Sequence, residues 1–486
     1  MIQQLNHNKR LKIIRGLSLE QQLTEIWYHS LTRFKEKQEP VDFNFKKIVE
    51  KHFGKLHSTN FTHFLHPYPG KIFAYIPTFI LSIPDICPPR GKVLDPFCGS
   101  GTVLLESIIN PLYKRDAFGI EINPLGRLIA KVKTTPLDVN RLVQIADNLL
   151  KKANQHSDVE PVLIPKFKNI NFWFSEKVIK KLAKLLFLIE ELENDDFKDF
   201  FYVCFSSIIR KVSNADPFIP PPVKLKTQKY RNSPTKLAYL EKFIKNVEKA
   251  DVIGLFENKV KVNSKRIESL CKIEEVKDDK VKARIIWDDA RCMKKSKLGY
   301  KARILRENAE PLPSNSVDLI LTSPPYLTAQ KYLRTQKLEL FWLGLLSEEE
   351  FSHLNRNIIG SENTSLKNIE LKSLGIESID SLIKWASAIS LQRTANLYKY
   401  FFDMELALSE MYRVLKKDRY AVIVVGNNKV LGKYVETYKL LMDLAVSVGF
   451  ELEAVFRDEI RGRGMITKRH NSGGLIKEEF ILLLRK

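Results

Sequence analysis

One stretch constrains this chain more than any other: Lys92-Val93-Leu94-Asp95-Pro96-Phe97-Cys98-Gly99-Ser100-Gly101-Thr102. Its apolar, β-branched lead-in reads as a strand, and Val103-Leu104-Leu105-Glu106-Ser107-Ile108-Ile109 reads as a helix. A strand that turns through glycines into a helix N-terminus opens a nucleotide-binding α/β unit. Gly99 and Gly101 allow positive φ and a close approach of the backbone to a ligand.

The acids around the turn select the ligand. The pyrophosphate fingerprint G-x-G-x-x-G lacks its third glycine here, which disfavours a nicotinamide oxidoreductase. Asp95 ends the strand instead, where a carboxylate repels phosphate and can hold an ammonium. Glu121, in Phe118-Gly119-Ile120-Glu121-Ile122-Asn123, ends the next strand at the position where an acid takes two ribose hydroxyls. Ribose and ammonium without pyrophosphate describe S-adenosylmethionine, with Phe97 packing against it. A second strand, Leu319-Ile320-Leu321, runs into Thr322-Ser323-Pro324-Pro325-Tyr326. The two prolines fix φ and remove two N–H groups, so the preceding carbonyls can face a substrate donor.

Asp95-Pro96-Phe97-Cys98-Gly99-Ser100-Gly101-Thr102 together with Thr322-Ser323-Pro324-Pro325-Tyr326 resembles the amino-methyltransferases of DNA, the N4-cytosine and N6-adenine enzymes. The resemblance covers about residues 60–134 and 284–486 and implies an α/β fold: a Rossmann-like class I methyltransferase sheet with a large, mostly helical insertion. It also implies roles. Ser323 and the Pro324 carbonyl accept the two amine protons, Pro325 holds the turn, and Tyr326 stacks on a flipped base. Pro69 and Lys71, in His63-Phe64-Leu65-His66-Pro67-Tyr68-Pro69-Gly70-Lys71, lie on the cofactor's carboxylate side. For His63 and Tyr68 a plain loop into a core helix is an equal reading. Asp289, with Asp288 as the alternative, accepts the adenine amino group, against a competing reading as a helix N-cap. Serine before the prolines resembles the N4-cytosine branch more than the N6-adenine branch. An RNA amino-methyltransferase and a non-catalytic DNA-binding relative are the rivals. The sulfonium is an activated methyl donor, so no metal is required.

The net charge of +22 favours a polyanionic partner; the resemblance implies that this is double-stranded DNA and leaves open both a cognate restriction endonuclease and a solitary enzyme. Cys87, Cys98, Cys204, Cys271 and Cys292 form no C-x-x-C pair, so neither zinc nor a disulfide framework is expected, which fits a reducing cytoplasm. No segment reaches the roughly 18 apolar residues of a membrane span.

Four regions follow: an N-terminal helical region over 1–60, the cofactor half over 61–134, an insertion over 135–280, and the catalytic half over 281–486. The insertion reads as helices over Val139–Ala153, Lys177–Glu193, Phe197–Val212 and Ser233–Ala250. Its basic, aromatic run Lys224-Leu225-Lys226-Thr227-Gln228-Lys229-Tyr230-Arg231 suits phosphate contact, or else is a solvated loop. Residues 331–346 read as one amphipathic helix, 347–395 as a polar, irregular second candidate for target recognition, and 401–415 as a helix. Arg461-Gly462-Arg463-Gly464 and Lys468-Arg469-His470 read as flexible basic segments that grip a backbone.

Overall fold

The computed structural model describes residues 17–55, 61–155, 163–294, 311–327, 332–366, 370–460 and 477–486. The basic segments at 461–464 and 468–470, and Lys331, lie outside the described residues. Among the described residues ten strands form: β1 Val41–Asp42, β2 Val93–Asp95, β3 Ala117–Ile120, β4 Ala283–Trp287, β5 Val317–Thr322, β6 Leu415–Gly426, β7 Asn428–Val430, β8 Lys433–Val435, β9 Glu451–Glu459 and β10 Glu478–Arg485. Eight of them build one sheet in the order β1-β9-β10-β6-β5-β2-β3-β4, and β7 pairs with β8 alone. Every pair in the large sheet is parallel except those made by β10.

The expected α/β sheet is therefore present, mixed and mostly parallel. β2 and β5 are buried along their whole length, as expected of parallel strands covered on both faces. The strand order reverses between them: β3 and β4 lie to one side, β6 to the other. Such a switch point opens a crevice at the carboxyl ends of the strands.

Helices cover the sheet. Near the N-terminus, α1 (Leu19–Lys37) starts at a Ser18–Gln21 capping box and α2 (Phe45–Phe53) follows β1. The Trp27 ring lies 4.9 Å from that of Phe456 on β9, and Phe43 packs 5.0 Å from Phe79. The described part of the N-terminal region thus joins the main core and adds a strand beside β9. Around the crevice run α3 (Tyr75–Leu81), α4 (Thr102–Ile109) and α5 (Pro124–Thr134).

The insertion holds α6 (Val139–Asn154), α7 (Glu176–Glu190), α8 (Asp195–Ile209), α9 (Pro234–Glu248) and α10 (Val252–Cys271). The first four fall where the periodicity places them; the 20-residue α10 is additional. Lysines and asparagines dilute its apolar stripe, and packing against α6 and α8 decides its state.

After β5 the expected helix over 331–346 breaks at Gln336 into a turn, Tyr332–Thr335, and α11 (Lys337–Trp342). The Gln336 side chain is buried, and its carbonyl accepts the Asn123 amide at 2.6 Å. The stretch 347–395 is not irregular: it contains α12 (Glu348–Asn357) and α13 (Glu377–Ser387). A Ser347–Glu350 capping box starts α12, and Phe351 and Leu354 bury its inner face. α14 (Leu391–Val414) begins ten residues before the expected start, and α15 (Thr437–Val448) precedes β9. A second hydrophobic core joins α5–α8 and α10 with α11 and α12, from either side of the Ser323–Tyr326 turn in sequence.

Arg115 fastens the amino end of the sheet. Its fully buried guanidinium donates to the carbonyls of Leu81, Cys87, Pro88 and Tyr113 at 2.6–2.8 Å. Replacing it with methionine keeps most of the volume and orphans those acceptors. Arg115→Met should lower the unfolding free energy by about 3–4 kcal/mol, read by urea titration.

Candidate active site at the carboxyl ends of the central strands

β2 and β5 end side by side at the switch point. Asp95 Oδ1 accepts the Thr322 hydroxyl at 2.6 Å and the Phe97 N–H at 3.1 Å. Asp95 is only 3% exposed, and among the described residues it makes no ion pair. Burial pushes its carboxyl up to about 7, even though both hydrogen bonds pull the other way. Thr322 directly precedes Ser323, so this bond joins the glycine turn to the Ser-Pro-Pro-Tyr turn.

Gly99 (φ 52°) and Gly101 (φ 75°) both take the left-handed conformation. A Cβ on Gly101 would meet the Ala130 Cβ at 2.9 Å, so the close approach of α4 to α5 also requires glycine. Glu121 accepts the Gly99 N–H at 2.7 Å and the Asn123 N–H at 2.8 Å, one on each carboxylate oxygen. Burial raises its pKa against those bonds. Phe97 is half-buried against the main core.

Tyr68 belongs to this cluster. Cβ atoms built on Gly99 and Gly126 would lie 3.3 Å and 2.9 Å from it, and its phenol accepts the Asn123 amide at 3.4 Å. Its place one residue before Pro69 is the only sequence signal for it. Lys71, by contrast, closes its own loop: its ammonium donates to the His63 and His66 carbonyls, both at 3.1 Å. Burial lowers its pKa to about 8. The loop so fastened carries Tyr68 and the half-buried Pro69. His63 lies under α4, with its Nε2 2.7 Å from Glu106, which also accepts the Thr78 hydroxyl.

The two aspartates after β4 part company. Asp289 meets the Arg291 guanidinium at 2.8–3.2 Å, and Arg291 also donates to Asp403 on α14 and to the Asn357 carbonyl. The Asp289 carboxylate is thus committed to a clamp between the β4 loop, α12 and α14. Asp288 is buried and faces Arg127, whose guanidinium donates to the Glu121 and Ile122 carbonyls. Beside Asp403 a cleft of about 460 Å³ is lined by His353, Arg356, Asn357, Tyr398, Lys399 and Phe402.

The proline turn is held from several sides. The Pro325 carbonyl accepts the Tyr400 hydroxyl at 3.1 Å, and Asn428 donates to the Leu327 carbonyl at 2.7 Å. Gly360 (φ 77°) sits where a Cβ would be 3.4 Å from the Tyr326 carbonyl. Tyr326 donates its phenol proton to Glu479 at 3.1 Å. Sequence reading singles out none of Tyr400, Asn428, Gly360 and Glu479, because each comes from a distant segment without a motif.

Asp95, Phe97, Gly99, Gly101 and Glu121 therefore lie together at the carboxyl ends of β2 and β3, where the Thr322–Asp95 bond joins them to the Ser323–Tyr326 turn; Lys71 and Asp289 are engaged by protein groups. Among the described residues no group of His, Cys, Asp and Glu could hold a metal ion, and no helix is long and apolar enough to cross a membrane.

No protein-family model matches the chain. It is 26% identical over 428 residues to the type II methyltransferase M.MvaI of Kocuria varians, covering 81% of this chain and 84% of that protein. It is 29% identical over 175 residues to the type II methyltransferase M.MjaII of Methanocaldococcus jannaschii, or 32% of this chain and 30% of that one. A third match, the type II methyltransferase M.AvaI of a Nostoc species, is 26% identical over 153 residues, 28% of this chain and 32% of the relative. An alignment across most of both partners, on a chain whose sheet brings the glycine and proline turns together, makes this protein a homologue of the type II DNA methyltransferases of restriction–modification systems.

Proposed function

We propose that this protein transfers a methyl group from S-adenosylmethionine to the exocyclic amine of a base flipped out of duplex DNA. N4 of cytosine is the preferred target and N6 of adenine the alternative. The hydrogen bond between Thr322 and Asp95 carries the reading, because it sets the presumptive cofactor turn beside the Ser-Pro-Pro-Tyr turn.

The residues present fit such a cofactor. Asp95 is a buried carboxyl with no ion pair among the described residues, which suits a ligand ammonium. Glu121 is aligned by two backbone N–H groups and keeps lone pairs for ribose hydroxyls. The acids after β4, Asp289 with Asp288 as the alternative, are placed to take the adenine amine. Phe97 and Tyr68 supply apolar faces, Gly99 and Gly101 the close backbone, and Pro69 and Lys71 the loop over the far side. When bound, the cofactor supplies an already activated methyl group.

The rest of the work is positioning. The lone pair of an exocyclic amine is delocalised into its ring. Ser323 and the Pro324 carbonyl accept its two protons, which turns the lone pair toward the methyl, and Tyr326 receives the base. Holding the reacting atoms at about 3 Å accounts for much of the rate. The helical insertion reads the target, with Lys224 4.7 Å over Phe172 and Lys236 beside Phe218 and Tyr230 forming a basic, aromatic face for the backbone. A restriction endonuclease of the same specificity is the functional partner.

Labelled cofactor and mixed-sequence duplex DNA, followed by digestion to nucleosides and mass analysis, should yield N4-methylcytosine. N6-methyladenine would move the target base, and label in RNA alone would overturn the reading. The raised pKa of Asp95 gives a second expectation. The folded, ligand-free protein holds a proton that the unfolded chain releases, so its stability falls as pH rises from the ordinary carboxylate range through about 7. An ammonium ligand needs the ionised form. Cofactor affinity should therefore rise from about pH 6 to about pH 8 with proton release, measured by calorimetry in two buffers. Asp95→Asn should remove that dependence, weaken binding by roughly 10-fold or more, and stabilise the ligand-free protein at alkaline pH.

A further inference from the structure

We propose that the seam between the 63–71 loop and α10 is a phosphate-binding site for the DNA backbone, with Lys259 and Arg266 as its contacts. The inference rests on the reading of duplex DNA as the substrate. It adds a second anchor, built from other residues than the basic, aromatic face of Lys224 and Lys236.

Hydrogen bonds bring the two elements together. Asn263 on α10 is fully buried, and its amide donates to the Leu65 carbonyl of the loop at 3.0 Å. The Asn263 side-chain oxygen accepts the Arg266 guanidinium at 3.0 Å. Lys259 lies one helical turn before Asn263, so Lys259, Asn263 and Arg266 share one face of α10. From the loop, the Lys71 ammonium donates to the carbonyls of His63 and His66, on either side of Leu65.

The cations gathered here have no acid. Lys71, Lys259 and Arg266 are each half-buried, and none makes an ion pair among the described residues. By contrast Lys131, on the neighbouring α5, meets both Asp196 and Asp199. Burial, and then the adjacent cations, lower both ammonium groups of the seam to about 8. Positive charge held partly out of water without a counter-charge costs stability. An anion bound from outside removes that cost. A guanidinium with most of its N–H groups unspent, beside an ammonium that makes no hydrogen bond among the described residues, is a donor set for phosphate oxygens. Phe64, 49% exposed and 6.0 Å from the Lys71 ammonium, offers a flat face to a sugar or an unstacked base.

The loop meets the glycine turn with other residues. Tyr68 packs on Gly99 and Gly126, and Gly70 packs on Tyr332, beyond the proline turn. Lys259 and Arg266 belong to the insertion instead, so their anion is a DNA phosphate and not the cofactor's carboxylate. A phosphate gripped there pins the loop whose Tyr68 lies against the glycine turn.

The test measures binding of mixed-sequence duplex DNA by fluorescence anisotropy across salt concentrations, with cofactor affinity and melting temperature alongside. Lys259→Gln and Arg266→Gln should each reduce the slope of log affinity against log salt by about 1, roughly a 10-fold loss at 0.1 M salt. Lys259→Arg should retain the slope. Lys261→Gln removes the same charge from an exposed position turned away from that face of α10, and should leave the slope unchanged. Unchanged slopes in Lys259→Gln and Arg266→Gln, or an equal reduction in Lys261→Gln, would overturn the proposal. So would a loss of cofactor affinity with DNA binding intact, which would make the anion the cofactor's carboxylate. Should Arg266→Gln not fold, Lys259→Gln decides alone, since it breaks no hydrogen bond among the described residues. A wild type that binds duplex RNA and not DNA would overturn the parent reading, and this one with it. A wild-type slope on DNA that Lys259→Gln leaves intact would sink this proposal alone.

Discussion

The Thr322–Asp95 hydrogen bond is the contact on which the site depends. Its partners are 227 residues apart, and each is the last residue of a central, fully buried strand. A carboxyl at that depth is expensive, and its raised pKa measures the cost. The strand order makes the expense useful, because the two adjacent chain ends diverge there and leave a crevice with an acid at its floor.

Several groups above the floor are held by bonds to the backbone rather than by surface ion pairs. Glu121 takes two N–H groups, Lys71 donates to two carbonyls, and Tyr400 and Asn428 hold the carbonyls of the proline turn. Such bonds tie loop geometry to the rigid sheet and resist salt screening, which matters for a protein of +22 net charge expected to work on a polyanion.

The helical insertion is joined by a shared core to the helices that follow the Ser323–Tyr326 turn. Trp342, just beyond that turn, is fully buried, with its ring 5.6 Å from Phe174 and 6.1 Å from Phe205. A segment that reads as part polar loop becomes two docked helices, because the buried area offered by the insertion outweighs its weak local propensity.

The sequence by itself determined the strand–turn–helix units, the alternation of β and α, the glycines of the tight turn and the acids at strand ends, since these follow from local sterics and periodicity. It also pointed to the homology, because the two motifs are short, contiguous and chemically demanding. Only the tertiary structure decided the partners. Nothing in the local sequence announces that Arg291 would bridge the Asp289 carboxylate to that of Asp403, 114 residues on, and Asp288 is indistinguishable from Asp289 until Arg127 is seen to face it. Tyr68 acquires meaning from two glycines in other segments, and Glu479 from a tyrosine 153 residues away. The physical reason is common to all of them. Local propensity acts over a few residues, whereas burial and hydrogen-bond satisfaction are properties of neighbours in space, which the chain's order does not display.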